Sequence, residues 1–135
     1  MASSTWAIQQ LIYGILNNDA TLKAAVTGIF DMMVPESLTP ALPYVVVGEK
    51  MEVPLNRLTG IGRGVLLNIH VWSKYRGSKE VASIGSRIIA LLENTRPSMS
   101  GWVVNSITLE GFDILDDGFD VQHGIVRIRV RVQPS

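Results

Sequence analysis

Five apolar side chains, Ile8, Leu11, Ile12, Ile15 and Leu16, recur three and four residues apart, the spacing that lines one face of an α-helix. Ser3, Ser4 or Thr5 can cap its start, because a side-chain oxygen there accepts from a backbone N–H left unbonded in the first turn, and Asn17-Asn18 marks the stop. Asp19 can cap a short second helix, "ATLKAAV", whose Leu22, Ala25 and Val26 share a face and which Gly28 ends. Residues 31–43, "DMMVPESLTPALP", hold three prolines and no sustained period, which predicts an extended connector lying along the core.

The period then changes to two. "YVVVGEKMEV" (44–53) and "VLLNIHVW" (65–72) are dense in β-branched residues, with Val65, Leu67, Ile69 and Val71 alternating inward, and together they predict a hairpin. Their connection, "PLNRLTGIGRG", has 11 residues with three glycines and a proline. That exceeds the roughly 2–5 residues usual in such loops, so a projecting, mobile arm is expected. A third helix starts after Ser78, with Glu80 near the positive end of its dipole and Val81, Ile84, Ile88, Leu91 and Leu92 on one face. Gly85 lies on that face too; a glycine inside a helix costs up to ~1 kcal/mol against alanine, which fits a helix lying close against a sheet. Pro97 ends the element.

Two further strands, "WVVNSITLEGF" (102–112) and "VQHGIVRIRVRV" (121–132), flank "DILDDGFD", whose Asp-Gly step signals a turn. The elements add up to an α+β fold: an antiparallel or mixed sheet of about four to five strands, with two N-terminal helices and one long helix packed on one face. At 135 residues the chain reads as one domain, 1–135, large enough to bury a core of its own.

Composition sharpens the picture in three ways. Charged residues make up 18% and the formal net charge is zero, so copies repel weakly and association is favoured, while strong unspecific nucleic-acid binding, which needs excess Lys and Arg, is disfavoured. There is no cysteine, which removes disulfides, thiol catalysis and sulfur-held metals. No stretch reaches the ~20 apolar residues of a membrane span, and the N-terminus lacks a leader's basic and apolar regions; the chain reads as soluble, unsecreted and without a membrane partner.

Candidate chemistry is thin. His70 and His123 sit outward or at an edge on strands, without H-x-x-x-H or H-E-x-x-H spacing or an acid at a recognisable interval, and read as polar strand residues. Asp113, Asp116, Asp117 and Asp120 lack the alternate spacing of a calcium loop and read as a solvated hairpin turn. "GIGRG" (60–64) has the glycines of a phosphate cradle but no Lys-Ser/Thr ending and no following helix. No G-x-S-x-G elbow exists, so no catalytic residue, cofactor or metal is assigned. The most pronounced polar pattern is Arg127, Arg129 and Arg131 alternating with Val126, Ile128, Val130 and Val132, three guanidiniums on one sheet face. Either carboxylates such as Glu49, Glu52 or Glu110 neutralise them, or they face a subunit or a polyanion.

The strand "LPYVVVGE" (42–49), the run "LNIHVWSKYRGSKEVASIGSRIIALLE" (67–93) and the closing "IVRIRVRV" resemble the small tail-completion or tail-terminator proteins of long-tailed bacteriophages, the DUF3168 group that includes tail-to-head joining proteins. The likeness runs from the first helix to the last strand, and none of its motifs is catalytic. It implies a structural virion subunit, also found in gene transfer agents, that forms a ring, commonly a hexamer, at the head-proximal end of a tail. Such a ring stops tail-tube polymerisation and joins the tail to the head connector, or stopper, while DNA passes its lumen without specific recognition. Assembly would take place in the host cytoplasm.

In that setting the 54–64 arm, with Leu55, Arg57, Leu58, Ile61 and Arg63, and the 31–43 connector, with Met32 and Met33, are expected to reach neighbouring subunits. Trp72, a half-buried aromatic with one N–H donor, suits a subunit contact or a helix anchor, with Lys74, Arg76, Lys79 and Glu80 as a rim. Arg127, Arg129 and Arg131 would line the lumen or an interface. The alternatives are a head-completion or connector subunit of the same particle, an oligonucleotide-binding β module, for which the Arg face lacks stacking aromatics, and a small hydrolase.

Overall fold

A computed structural model of the chain describes residues 3–31, 42–74, 77–118 and 121–135. Its elements run α1 (Ser4–Asn17), α2 (Ala20–Ala25), β1 (Ile29–Phe30), β2 (Tyr44–Pro54), β3 (Arg63–Ser73), α3 (Lys79–Leu92), β4 (Trp102–Gly118) and β5 (Val121–Pro134). This is the expected α+β class, with a five-stranded mixed sheet in the order β1-β2-β3-β5-β4. The two-residue β1, which gives no periodic signal, pairs parallel with β2; the other ladders are antiparallel.

Both predicted N-terminal caps form. The Ser3 side chain accepts from Trp6 N–H at 3.2 Å and the Asp19 carboxylate from Leu22 N–H at 2.9 Å. Asp19 also accepts from Arg87 of α3 through two bonds of 2.9 and 2.7 Å. These hydrogen bonds, first from Arg87 and then from the Leu22 amide, hold its carboxyl below the usual carboxylate range and tie the helices together. Ser78 precedes α3 but makes no side-chain capping bond. That helix stops at Leu92, before Pro97, where Asn94 takes a left-handed φ of 60° and donates to the Ile107 carbonyl of β4 at 2.9 Å.

One apolar core joins Ile8, Ile12 and Leu16 of α1 and Val81, Ile84, Ile88 and Leu92 of α3 to the inward rows Val65, Leu67, Ile69, Val71 and Val126, Ile128, Val130, Val132. The alternate residues of β3 and β5 form the outer face, which no helix among the described residues covers. Strand lengths differ from expectation in two places. β2 and β3 run to Pro54 and Arg63, so the arm shrinks to residues 55–62. β4 runs to Gly118, so Asp113 and Asp116 lie on a strand and the acidic turn read from "DILDDGFD" is corrected; cross-strand pairing carries the β4–β5 ladder through that segment. The ladder shifts register three times, at Val104/Ser106, Leu109/Gly111 and Asp116/Gly118.

The two helical glycines have opposite surroundings. A Cβ built on Gly85 would sit 2.2 Å from the Phe112 ring, with two more ring atoms within 2.8 Å, whereas one on Gly14 meets nothing within 4 Å. Gly14→Ala is therefore expected to stabilise the fold by about 0.5–1 kcal/mol. Gly85→Ala is expected to destabilise it by about 1–3 kcal/mol, crowding outweighing helix propensity. Urea denaturation of both variants checks this; equal signs would refute the close approach of α3 to β4.

Candidate functional site

The arm is a continuation of the β2–β3 ribbon. Leu55 N–H donates to Gly62 O at 2.8 Å, Arg57 N–H to Gly60 O at 2.8 Å and Gly60 N–H to Arg57 O at 3.1 Å, so Leu58 and Thr59 form its tip. Leu58 is 109% exposed and Ile61 43%. Leucine at a turn tip gains nothing from burial within its own subunit, where turn chemistry would favour Asn, Asp or Gly. Leu55 is half-buried and packs over Gly64, and Arg63 donates to Asn56 at 2.8 Å and lies 3.9 Å from Glu52. Glu52 also accepts from Ser4 at the start of α1. Of the expected contact residues, Met32 and Met33 lie outside the described residues. Between the arm and the adjoining ends of β4 and β5 runs an open groove of about 550 Å³, lined by Leu55, Arg57, Ile61, Arg131, Val132 and Pro134 among others.

The three arginines of β5 do share the outer face, and β4 supplies most of their partners. Arg127 lies 3.3 Å from Asp113, Arg129 3.0 Å from Glu110, and Arg131 reaches the Thr108 hydroxyl at 3.5 Å. Of the carboxylates named from sequence, only Glu110 serves; Glu49 and Glu52 project from β2, two strands away from β5. Arg131 is left without a carboxylate partner among the described residues.

Towards the other end of the same face, Tyr44, Trp72 and His123 stand cross-strand from one another, and Val46, His70 and Ile125 form the next row. Trp72 stacks on His123 with ring centroids 4.4 Å apart and 12° between planes. His70 and His123, read from sequence as ordinary polar strand residues, lie on central strands and bond to each other: His70 Nδ1 and His123 Nε2 are 2.7 Å apart. His70 Nε2 meets Glu49 at 2.9 Å. Because a carboxylate only accepts, neutral His70 donates from Nε2 and accepts at Nδ1 from His123. The signal lay in Gly48: it occupies a register shift between Val47 and Lys50, and a Cβ there would stand 2.5 Å from the His70 ring. The shift turns Glu49 to the outer face.

Burial would raise the Glu49 carboxyl, but hydrogen bonds from Asn68, its own backbone N–H and His70 together outweigh it and bring the pKa from 4.5 to about 2. A depressed carboxyl stabilises the folded chain above its unfolded pKa, and that contribution fades as pH falls from 4.5 to about 2. Glu49→Gln is expected to be less stable than the parent at pH 6 and to converge on it near pH 2; urea titrations showing a pH-independent difference would refute this. This chain of side chains links β2, β3 and β5 and so braces the sheet. Among the described residues no group of three or more His, Asp or Glu is placed to hold a metal ion.

The subunit is thus a small α+β unit with a sheet face that no helix among the described residues covers and a ribbon ending in exposed leucine. The chain belongs to the tail completion protein gp17 family, whose model matches residues 10–133. It is similar to tail completion protein gp17 of Bacillus phage SPP1, 25% identical over 91 residues that cover 67% of each chain. The solved structure of SPP1 gp17 superposes with a TM-score of 0.60 at 24% identity, covering 96% of this chain and 95% of that one. A chain in the virion of a native gene transfer agent particle superposes with a TM-score of 0.87 at 21% identity, covering 98% of this chain and 99% of that one. The protein is a structural component of the virion tail, not an enzyme.

Proposed function

We propose that copies of this subunit close side by side into a ring, commonly a hexamer in chains of this resemblance, at the head-proximal end of the tail. One face of the ring matches the end of the tail tube; the other is a surface that tube subunits cannot extend, so polymerisation stops there and the head connector docks instead. DNA passes through the lumen without base recognition. The observation that carries this reading is the arm: Leu58 and Ile61 held out from the core on a hydrogen-bonded ribbon, an arrangement that lowers free energy only when another subunit covers it. Heterologous contacts of this kind give a closed ring when their rotation closes and a filament when it does not. Trp72 and the outer-face arginines are the further contact candidates, and paired Arg127 and Arg129 suit a wall that DNA slides past better than one that grips it.

The test is polymerisation of the tail-tube protein of the same particle with and without this chain. Tubes that stop growing and carry a ring at one end in negative stain are expected. Unlimited growth with the chain bound only to the connector would replace the terminator reading with that of a connector subunit.

A further inference from the structure

The arm groove carries two guanidiniums, Arg57 and Arg131, and no acidic residue among its described lining. Its other walls combine apolar Leu55, Ile61, Val132 and Pro134 with the uncharged polar side chains of Thr59, Asn105 and Gln133. Among the described residues Arg57, which is exposed, forms no ion pair, and Arg131 has the 3.5 Å contact to Thr108 and no carboxylate partner. An occupant that fits must bring carboxylate and apolar side chains close together.

The same chain presents that combination at the far end of its longest hairpin. Ile114 is 37% exposed and shares a strand face with exposed Asp116 two residues on, whose Oδ1 accepts from Gly118 N–H at 2.9 Å; Leu115, 48% exposed, points to the opposite face. Asp113, the residue before Ile114, is already held by Arg127. Groove and tip lie at opposite ends of β4: Asn105 lines the groove, and Leu115 is ten residues further on, roughly 30 Å at strand rise. No subunit can fill its own groove with its own tip.

We propose that the β4–β5 tip of one subunit docks head to tail in the arm groove of the next, Asp116 against Arg57 and Arg131 and Ile114 against Leu55 and Ile61. The proposal rests on the ring reading above and names the contact that closes it. A carboxylate set between two guanidiniums supplies direction and register, and the apolar pair supplies buried area. Because each subunit offers one tip and one groove, the contact is heterologous and repeats around a ring.

Charge exchange tests it. Under conditions where the parent chain forms rings, R57E alone and D116R alone are each expected to weaken association at least tenfold, with unchanged melting. An equimolar mixture of the two is expected to restore rings, since alternating subunits pair every reversed groove with a reversed tip. Rings from either variant alone, or none from the mixture of folded variants, overturn the proposal. The cysteine-free chain allows a second measurement that tolerates a poorly folding charge variant. Ile61→Cys combined with Ile114→Cys should give, on oxidation, a ladder of covalent oligomers, because the two positions lie too far apart within one chain to cross-link. Monomer only, where the parent forms rings, overturns the contact and leaves the ring reading standing. A parent chain that neither self-associates nor caps tubes removes the ring reading and this contact with it.

Discussion

A chain whose residues 55–62 are replaced by Asn-Gly is expected to melt within a few degrees of the parent and to form no rings and cap no tubes. The strands need nothing from the arm: Pro54 and Arg63 are already cross-strand partners, and Asn-Gly is the dipeptide that joins antiparallel strands in a two-residue turn. Leu58 and Ile61 contribute little to the fold because they remain in water, and only Leu55 gives up partial burial. In the proposed ring the same side chains would carry the apolar contact between subunits, so assembly would lose its main driving force. Circular dichroism melting and particle mass measured on one preparation separate the two effects. Persistent rings would remove the arm from the interface.

Leu67→Ala is expected to do the reverse. Leu67 is fully buried in β3, a central strand, flanked by Lys50 of β2 and Ile128 of β5. The cavity it leaves can collapse little, because the neighbours are fixed by ladders on both sides, and the expected loss is about 3–4 kcal/mol. Against a typical net stability of about 5–15 kcal/mol that is a large fraction, and the midpoint should fall by roughly 10 °C. Below that midpoint rings should still form, since Leu67 is fully buried and lines neither the arm groove nor the β4–β5 tip. A loss under 1 kcal/mol in urea titration would mean that the core closes around the gap.

The contrast also explains what could be read from the sequence. Leu67 belongs to a run with period two, and Ile8, Ile12 and Leu16 to a run with period 3.6, so both faces were legible from apolar spacing. Caps at Ser3 and Asp19 were legible because a single side chain and the next turn decide them. Glu49 was not. Strict alternation assigns its direction correctly only as far as Val47, and the shift at Gly48 changes which face every later residue of β2 meets. The bond between His70 and His123 was hidden for another reason: they are 53 residues apart and meet only because β5, not β4, lies beside β3. Strand order likewise decides which acids reach the arginines; the Asp-Gly signal places Asp113 in a turn, yet it faces Arg127 across a ladder that runs six residues beyond the expected strand end. The arm was visible as a glycine-rich interruption, while its groove depends on how the far ends of β4 and β5 adjoin it.

The three register shifts of β4 have an effect on the protein before it reaches a particle. β4 is the long outer edge of the sheet, 17 residues of it, and a straight strand from a stray copy could keep its hydrogen bonds in step for at most six residues, Gly111 to Asp116, before meeting a shift. Fibre growth by strand addition is thereby starved of a template. Copies can therefore meet at high concentration without joining edge to edge along β4.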